Sequence, residues 1–384
     1  MSARKHVVVV GAGYAGMQAA NRLLSRHTDI DVTVVNPRPV FVERVRLHQV
    51  AAGTGSATHD LVDLLHPRAA LRVASVVRVG EDVVELDDGA AVRFDAAVYA
   101  AGSGPGVPEV PGGDRAYSVS DLDSATALHD ALTSLPDGSA VTVVGAGATG
   151  TEVASELAES HPQLTVTLIG DAGAGLPDRT RRYLHRTLTS LGVRLRAGTV
   201  TGITDDAVLF DDGTTAASDA TVWAGGFAVP DLARRSGLDV DEAGRLLVDT
   251  TLRVPGRRRL VGVGDAVRVD AHDHIRMSCQ AAMPLGRHGA DTVAALLHDR
   301  EPAPLSLRFV ALCLSLGRRH GAVQVVRADD TPRDLVVTGR AGALGKETVV
   351  RSTVWDIRRT GRKRAARTAE SSSPTKEFDA AGER

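Results

Sequence analysis

The chain predicts an α/β fold: two copies of one strand–turn–helix design, followed by a β-rich C-terminal region. Three observations carry this. Valine-rich strands run into a glycine-rich turn and then an alanine-rich helix at two places, "VVGAGYAG" (Val9 to Gly16) and "VVGAGATGTE" (Val143 to Glu152). The two stretches head an internal repeat of strand, turn, helix, strand, meander and closing strand. A third strand-to-glycine junction, "VGVGDAV", follows both copies.

The first copy opens with Val7 to Val10, a run expected of a strand buried on both faces. Gly11, Gly13 and Gly16 form the turn, and "MQAANRLL" has helical periodicity. "DVTVVN" is the next strand, ending at Asn36. Leu71 to Leu86 alternates as a meander, Asp87 to Gly89 turns the chain, and "FDAAVYAAGS" closes the unit at Ser103. The second copy repeats this plan with Gly145, Gly147 and Gly150, then "LTVTLIGD", then an amphipathic helix stopped by Gly192. Its meander turns at Asp211 to Gly213, and its closing strand ends in "AGG". In the third block, "RRLVGVGDAVRV" leads into Gly264 and Asp265, and "MSCQAAMPLGRHGADTVAALL" is a helix of about five turns. Residues from Leu305 to Ile357 alternate as strands do. The end, "RKRAARTAESSSPTKEFDAAGER", is too polar to bury a core and is expected to be disordered.

Composition limits the functions. The 384 residues carry 45 Lys and Arg against 47 Asp and Glu, a balance that argues against nucleic acid as the main partner. Two cysteines, Cys279 and Cys313, make no disulfide framework, so a reducing cytoplasm is expected. No signal peptide is legible, and no apolar run approaches the ~20 residues of a membrane span. Membrane contact is therefore expected to be peripheral at most. "DAHDH" (Asp270 to His274) has no matching ligand spacing elsewhere and reads as a polar surface loop, so no metal is expected.

A glycine turn between a buried strand and a helix gathers backbone N–H groups and the positive end of the helix dipole at one point, which suits a pyrophosphate. Each copy is thus a Rossmann-like dinucleotide-binding domain, and two copies imply two dinucleotides. The residue about twenty positions past the last glycine usually meets the adenosine ribose. In the first copy it is Asn36, whose amide can bond the hydroxyls, with Arg38 placed for phosphate or for stacking on adenine. In the second it is Gly170, followed by Asp171. Asp171 suits NADH; Gly170 with Arg179, Arg181 and Arg182 leaves room for a 2′-phosphate, so NADH against NADPH stays open. Asp265, after Gly264 at a strand end, suits a ribityl hydroxyl. The helix starting near Ser278 would aim its positive end at the N1/O2 edge of a flavin. His48 is expected either beside that flavin or as a hydrogen-bonded structural histidine. No CxxC or CxxxxC pair follows the first unit, so electrons leave the flavin directly and not through a thiol relay.

Gly11 to Gly16, "AAGS" with Ala101 and Gly102, Gly145 to Glu152, "AGG" ending at Gly226, and "GVGDA" with Gly264 and Asp265 occur in the order found in two-dinucleotide flavoprotein reductases. Without the cysteine pair, the chain most resembles type II NADH dehydrogenases and the related apoptosis-inducing-factor-like and ferroptosis-suppressor-like oxidoreductases, up to about residue 300. The resemblance implies non-covalent FAD held by Gly11, Gly13, Ala15 and Gly16, an NAD(P)H donor, and often a quinone acceptor. It places Glu152 near the nicotinamide and Gln280 on the helix lining the flavin and quinone site. The pattern's second glutamine is replaced by Pro284, and its C-terminal amphipathic helix is not evident; a basic run, Arg358 to Arg367, stands there instead. The expected division is an FAD-binding domain at 1–110 and 246–302, an NAD(P)H-binding domain at 111–245, a C-terminal region at 303–360 and a disordered tail at 361–384. A reductase for a small iron–sulfur protein and a redox-sensing FAD/NADH-binding protein remain alternatives, and a homodimer stays open.

Overall fold

The computed structural model describes residues 4–106 and 108–362. The first unit runs β1 (Lys5–Val10), α1 (Tyr14–Arg26), β2 (Ile30–Asn36), β3 (Ala69–Val73) and β4 (Ala96–Tyr99). A three-stranded antiparallel meander, residues 76–93, sits between β3 and β4. The second unit runs β5 (Tyr117–Ser118), β6 (Ala140–Val144), α2 (Ala148–Ser160), β7 (Thr165–Ile169), β8 (Arg194–Arg196) and β9 (Ala220–Trp223), with its own meander between β8 and β9. Val7, Val8 and Val9, and Val141 and Val143, have no exposed surface, as all-parallel central strands require.

The third block supplies β10 (Leu260–Gly262), which pairs in parallel with β4. The chain therefore returns to the first sheet after completing the second. The orders are β10-β4-β1-β2-β3 and β5-β9-β6-β7-β8, parallel throughout. The two sheets share one plan and differ in where the edge strand comes from. Helix α3 (Cys279–Leu297) follows, capped by Ser278, whose hydroxyl accepts from Ala281 N. It packs on α1 at Gly286, where an added Cβ would lie 2.2 Å from Ala15 O.

The C-terminal region is an antiparallel sheet, β11 (Ala311–Leu316), β12 (His320–Val326) and β13 (Pro332–Thr338), and then helix α4 (Gly339–Arg362). This corrects the expectation of strands up to Ile357, and the expectation that no C-terminal helix is evident. The β-branched run from Thr348 to Val354 mimics a strand, and Gly339, Gly342 and Gly345 weaken the helical signal. Burial decides it: Val350, Thr353, Val354, Ile357 and Gly361 are the inward residues, at helical spacing. Gly361 and Arg362 belong to α4 and not to a disordered tail; residues 363–384, with the rest of the basic run, lie outside the described residues. The region ties both units together. Leu314, Leu316 and Ala322 join the core of the second unit, while Val354 and Ile357 join that of the first.

Candidate functional site

The two glycine turns share one backbone geometry. Gly11 and Gly145 have φ of +100° and +103°, which only glycine adopts without strain. An added Cβ at Gly16 would lie 1.9 Å from Gly11 O, and at Gly150 1.8 Å from Gly145 O. These glycines close the turns. Gly13 and Gly147 differ. Each is the N-cap of its helix, with ordinary φ of −74° and −69° and no side-chain cap. A Cβ on either would meet no atom within 4 Å. So α1 and α2 each present uncapped N–H groups to open space, as a bound diphosphate requires. Gly102 and Gly226 stand at the ends of the closing strands, also left-handed and also facing open space.

The residues at the ribose positions have partners within the protein. Asn36 Oδ1 accepts from Ala12 N at 2.9 Å and Asn36 Nδ2 donates to Arg38 O at 2.8 Å, so its amide braces the first turn. The Arg38 guanidinium is held bidentate by Asp123, whose carboxylate raises its pKa further. Gly170 has φ +121°, and Asp171 accepts from Arg181 Nη2 at 2.5 Å. Asp265 follows Gly264 (φ +80°). Its Oδ2 accepts from Ser103 Oγ at 2.7 Å, with Arg44 Nη1 3.5 Å away and itself donating to Ser103 Oγ. Oδ1 takes no hydrogen bond among the described residues.

A second cluster lies where α2, β11 and α4 meet. Glu152 Oε1 accepts from Lys346 Nζ (2.9 Å), Ser315 N (2.9 Å) and Ser315 Oγ (3.1 Å). Burial alone would raise the Glu152 carboxyl; the Lys346 ammonium, His48 and the Ser315 amide together bring it below its ordinary value. Burial likewise would lower Lys346, yet Glu152 holds it raised. The pair is therefore an ion pair through neutral pH. His48 is buried, its Nε2 3.4 Å from Ser315 Oγ, and burial lowers it to about 4, so it is neutral. Gln280 lies against the start of β11: with its side-chain amide turned over, Nε2 donates to Ala311 O (2.8 Å) and Oε1 accepts from Val310 N (3.1 Å). Burial pushes the Cys279 and Cys313 thiols up, so neither is a ready thiolate.

Ser315 and Lys346 also line a cleft of about 560 Å³, walled by Arg46, Gln49, Arg318 and Leu344. Lys346 is the residue that sequence reasoning missed. The chain has only four lysines among its 45 basic residues, so a single lysine in a segment whose other basic residues are arginines was the available signal. Its place is fixed by a glycine crossing: an added Cβ at Gly342, one helical turn earlier, would lie 2.3 Å from Gly321 O. Only a bare backbone lets α4 come this close to β12.

The sequence profile described as pyridine nucleotide-disulphide oxidoreductase matches residues 5–286. The chain belongs to that family. It is a flavin-dependent oxidoreductase with FAD and a nicotinamide nucleotide as cofactors, as the twin turns imply. Among its relatives is the NADH dehydrogenase-like protein Rv1812c of Mycobacterium tuberculosis, 29% identical over 89% of this chain and 92% of that protein. The type II NADH:quinone oxidoreductase of Staphylococcus haemolyticus is 25% identical over 92% of this chain and 96% of that one. In fold the family member resembles the sulfide:quinone oxidoreductase of Aquifex aeolicus, with a TM-score of 0.79, 18% identity, and coverage of 93% and 92%. Among the described residues no helix is long and apolar enough to cross a membrane.

Proposed function

We propose that the protein carries two electrons from NAD(P)H to a quinone-like acceptor that enters the cleft beside Lys346. The balance is NAD(P)H + H⁺ + quinone giving NAD(P)⁺ + hydroquinone. Bound FAD would supply the hydride-to-electron conversion. The chain's own residues would do the rest. The α1 and α2 termini anchor the two diphosphates, and Asp265 fixes the ribityl chain. Lys346 Nζ donates a hydrogen bond, and then a proton, to the acceptor oxygen as negative charge builds there. Glu152 keeps that ammonium charged until the moment of transfer.

The observation that carries this reading is the buried Glu152–Lys346 pair at the wall of an open cleft. Buried charge of this kind costs stability and marks functional sites. The quinone named for the Staphylococcus haemolyticus relative supports the choice of acceptor. Peripheral contact with a membrane fits the same reading, since α4 exposes Leu344 and Trp355 beside Arg351 and Arg359.

Rapid mixing tests it by half-reaction. Lys346→Gln is expected to slow reoxidation by a soluble quinone about a hundredfold, with reduction by NAD(P)H changed less than about twofold. Equal slowing of both halves, or of neither, would remove Lys346 from the acceptor step.

A further inference from the structure

We propose that His27, Asp29 and His298 form a surface site for one divalent transition-metal ion of the zinc class. The site lies away from both nucleotide turns, at the far ends of α1 and α3. His27 is the C-cap of α1 and His298 the C-cap of α3. Both helices therefore point their negative ends, which favour a cation, toward these rings. The imidazoles lie tilted with centroids 5.6 Å apart. One ligand atom from each of the three residues falls within 4.8 Å of the others. A zinc ion with bonds of about 2.0–2.2 Å needs only modest side-chain rotation to draw them in.

The hydrogen bonding of His298 is the observation that goes beyond mere proximity. Its Nδ1 lies 2.7 Å from Ala294 O and its Nε2 2.8 Å from Asp29 Oδ2. Both neighbours are acceptors. A neutral ring has one proton, and with Nδ1–H given to the carbonyl, the Nε2 lone pair faces a carboxylate. A cation held between Nε2 and the Asp29 carboxylate satisfies both groups while Nδ1–H stays on the carbonyl. An outer partner that fixes the ring this way is the usual support of a metal-bound histidine. The His27 ring makes no hydrogen bond among the described residues, so it is free to ligate. Its backbone is held: Arg68 Nη2 donates to His27 O (2.7 Å), Ile30 O (3.2 Å) and Leu24 O (3.3 Å). The remaining charges near by are Asp291, which Arg22 and Arg26 neutralise, and Arg300. Two imidazoles and one carboxylate suit Zn²⁺, with Ni²⁺ and Cu²⁺ as competitors for the same donors. The ion would clamp α1 to α3, the two helices that pack at Ala15 and Gly286.

The test is calorimetric titration of the tag-free, FAD-loaded protein with ZnCl₂. One ion is expected to bind with micromolar affinity and to raise Tm. His27→Ala and His298→Ala should each weaken binding at least about tenfold, and Asp29→Asn, which keeps shape and loses charge, should do so too. All three should keep NAD(P)H oxidation, since none touches the nucleotide sites. No saturable binding would overturn the proposal: the His298–Asp29 contact would then be an ion pair alone. Binding that survives these changes and is lost in His272→Ala/His274→Ala would overturn it equally, moving the ion to that surface loop.

Discussion

Gly147→Val is expected to leave the protein folded and yellow while raising KM for NAD(P)H more than about a hundredfold. The valine meets no protein atom within 4 Å, and φ of −69° suits any residue. Its side chain instead fills the space in front of the free N–H groups of α2. Losing about 3 kcal/mol of diphosphate anchoring is a factor of over a hundred. Gly13→Val is the mirror experiment: φ is −74°, the added atoms are again unopposed, and FAD should be lost. Gly16 and Gly150 are poor choices for this purpose, because a Cβ there would strike backbone at 1.9 and 1.8 Å and distort the turn itself. Flavin absorbance and steady-state kinetics on both variants give the answer. If Gly147→Val loses flavin and keeps its nucleotide affinity, the two turns are assigned the wrong way round.

The second large effect is on stability. Lys346→Met is expected to destabilise the protein by about 3–5 kcal/mol, because it leaves Glu152 ionised and buried without its partner. Lys346→Met/Glu152→Leu should recover most of that loss, since the uncompensated charge is gone. Thermal melts of the two singles and the double give the coupling directly. The sign of the pH dependence follows from the shifts. Glu152 is lowered in the fold, so its contribution is present above its unfolded pKa near 4.3 and is lost as pH falls through the folded value. Lys346 is raised, so its contribution is present below its unfolded pKa near 10.4 and is lost as pH climbs through the folded one. Wild type should therefore hold a level advantage over Lys346→Met from about pH 6 to 9. Neutral His48 adds a separate slope: lowered to about 4, it favours the fold above ~6.5 and loses that contribution as pH drops toward 4. An advantage over Lys346→Met that collapses near pH 7 would show that the pair is not charged in the fold.

The nucleotide turns were legible because their chemistry is local. Strand, glycine spacing and helix lie within about ten residues, and the repeat gave each copy the support of the other. What eluded the sequence depends on contacts across the chain. Asn36 stands at the spacing of a ribose contact, and its amide also braces Ala12 N, a bond set by the fold of the turn. Arg38 pairs with Asp123, 85 residues on, a contact that no local spacing announces. Glu152 was singled out by its place after the second turn, but its partners Ser315 and Lys346 lie some 160 and 190 residues away. Helix α4 was hidden by β-branched residues whose strand-like reading is overridden by burial against α1, where Asn21 Nδ2 donates to Ile357 O.

Anaerobic stopped-flow absorbance near 450 nm, on the protein as purified, follows electron entry from NAD(P)H and exit to quinone in one experiment. A flavin band is expected that bleaches on mixing with NAD(P)H, returns on mixing with a soluble quinone, and does so with one hydroquinone formed per nucleotide oxidised. A protein that binds no flavin, or whose flavin bleaches with NAD(P)H and is not restored by any quinone, would contradict the proposed transfer.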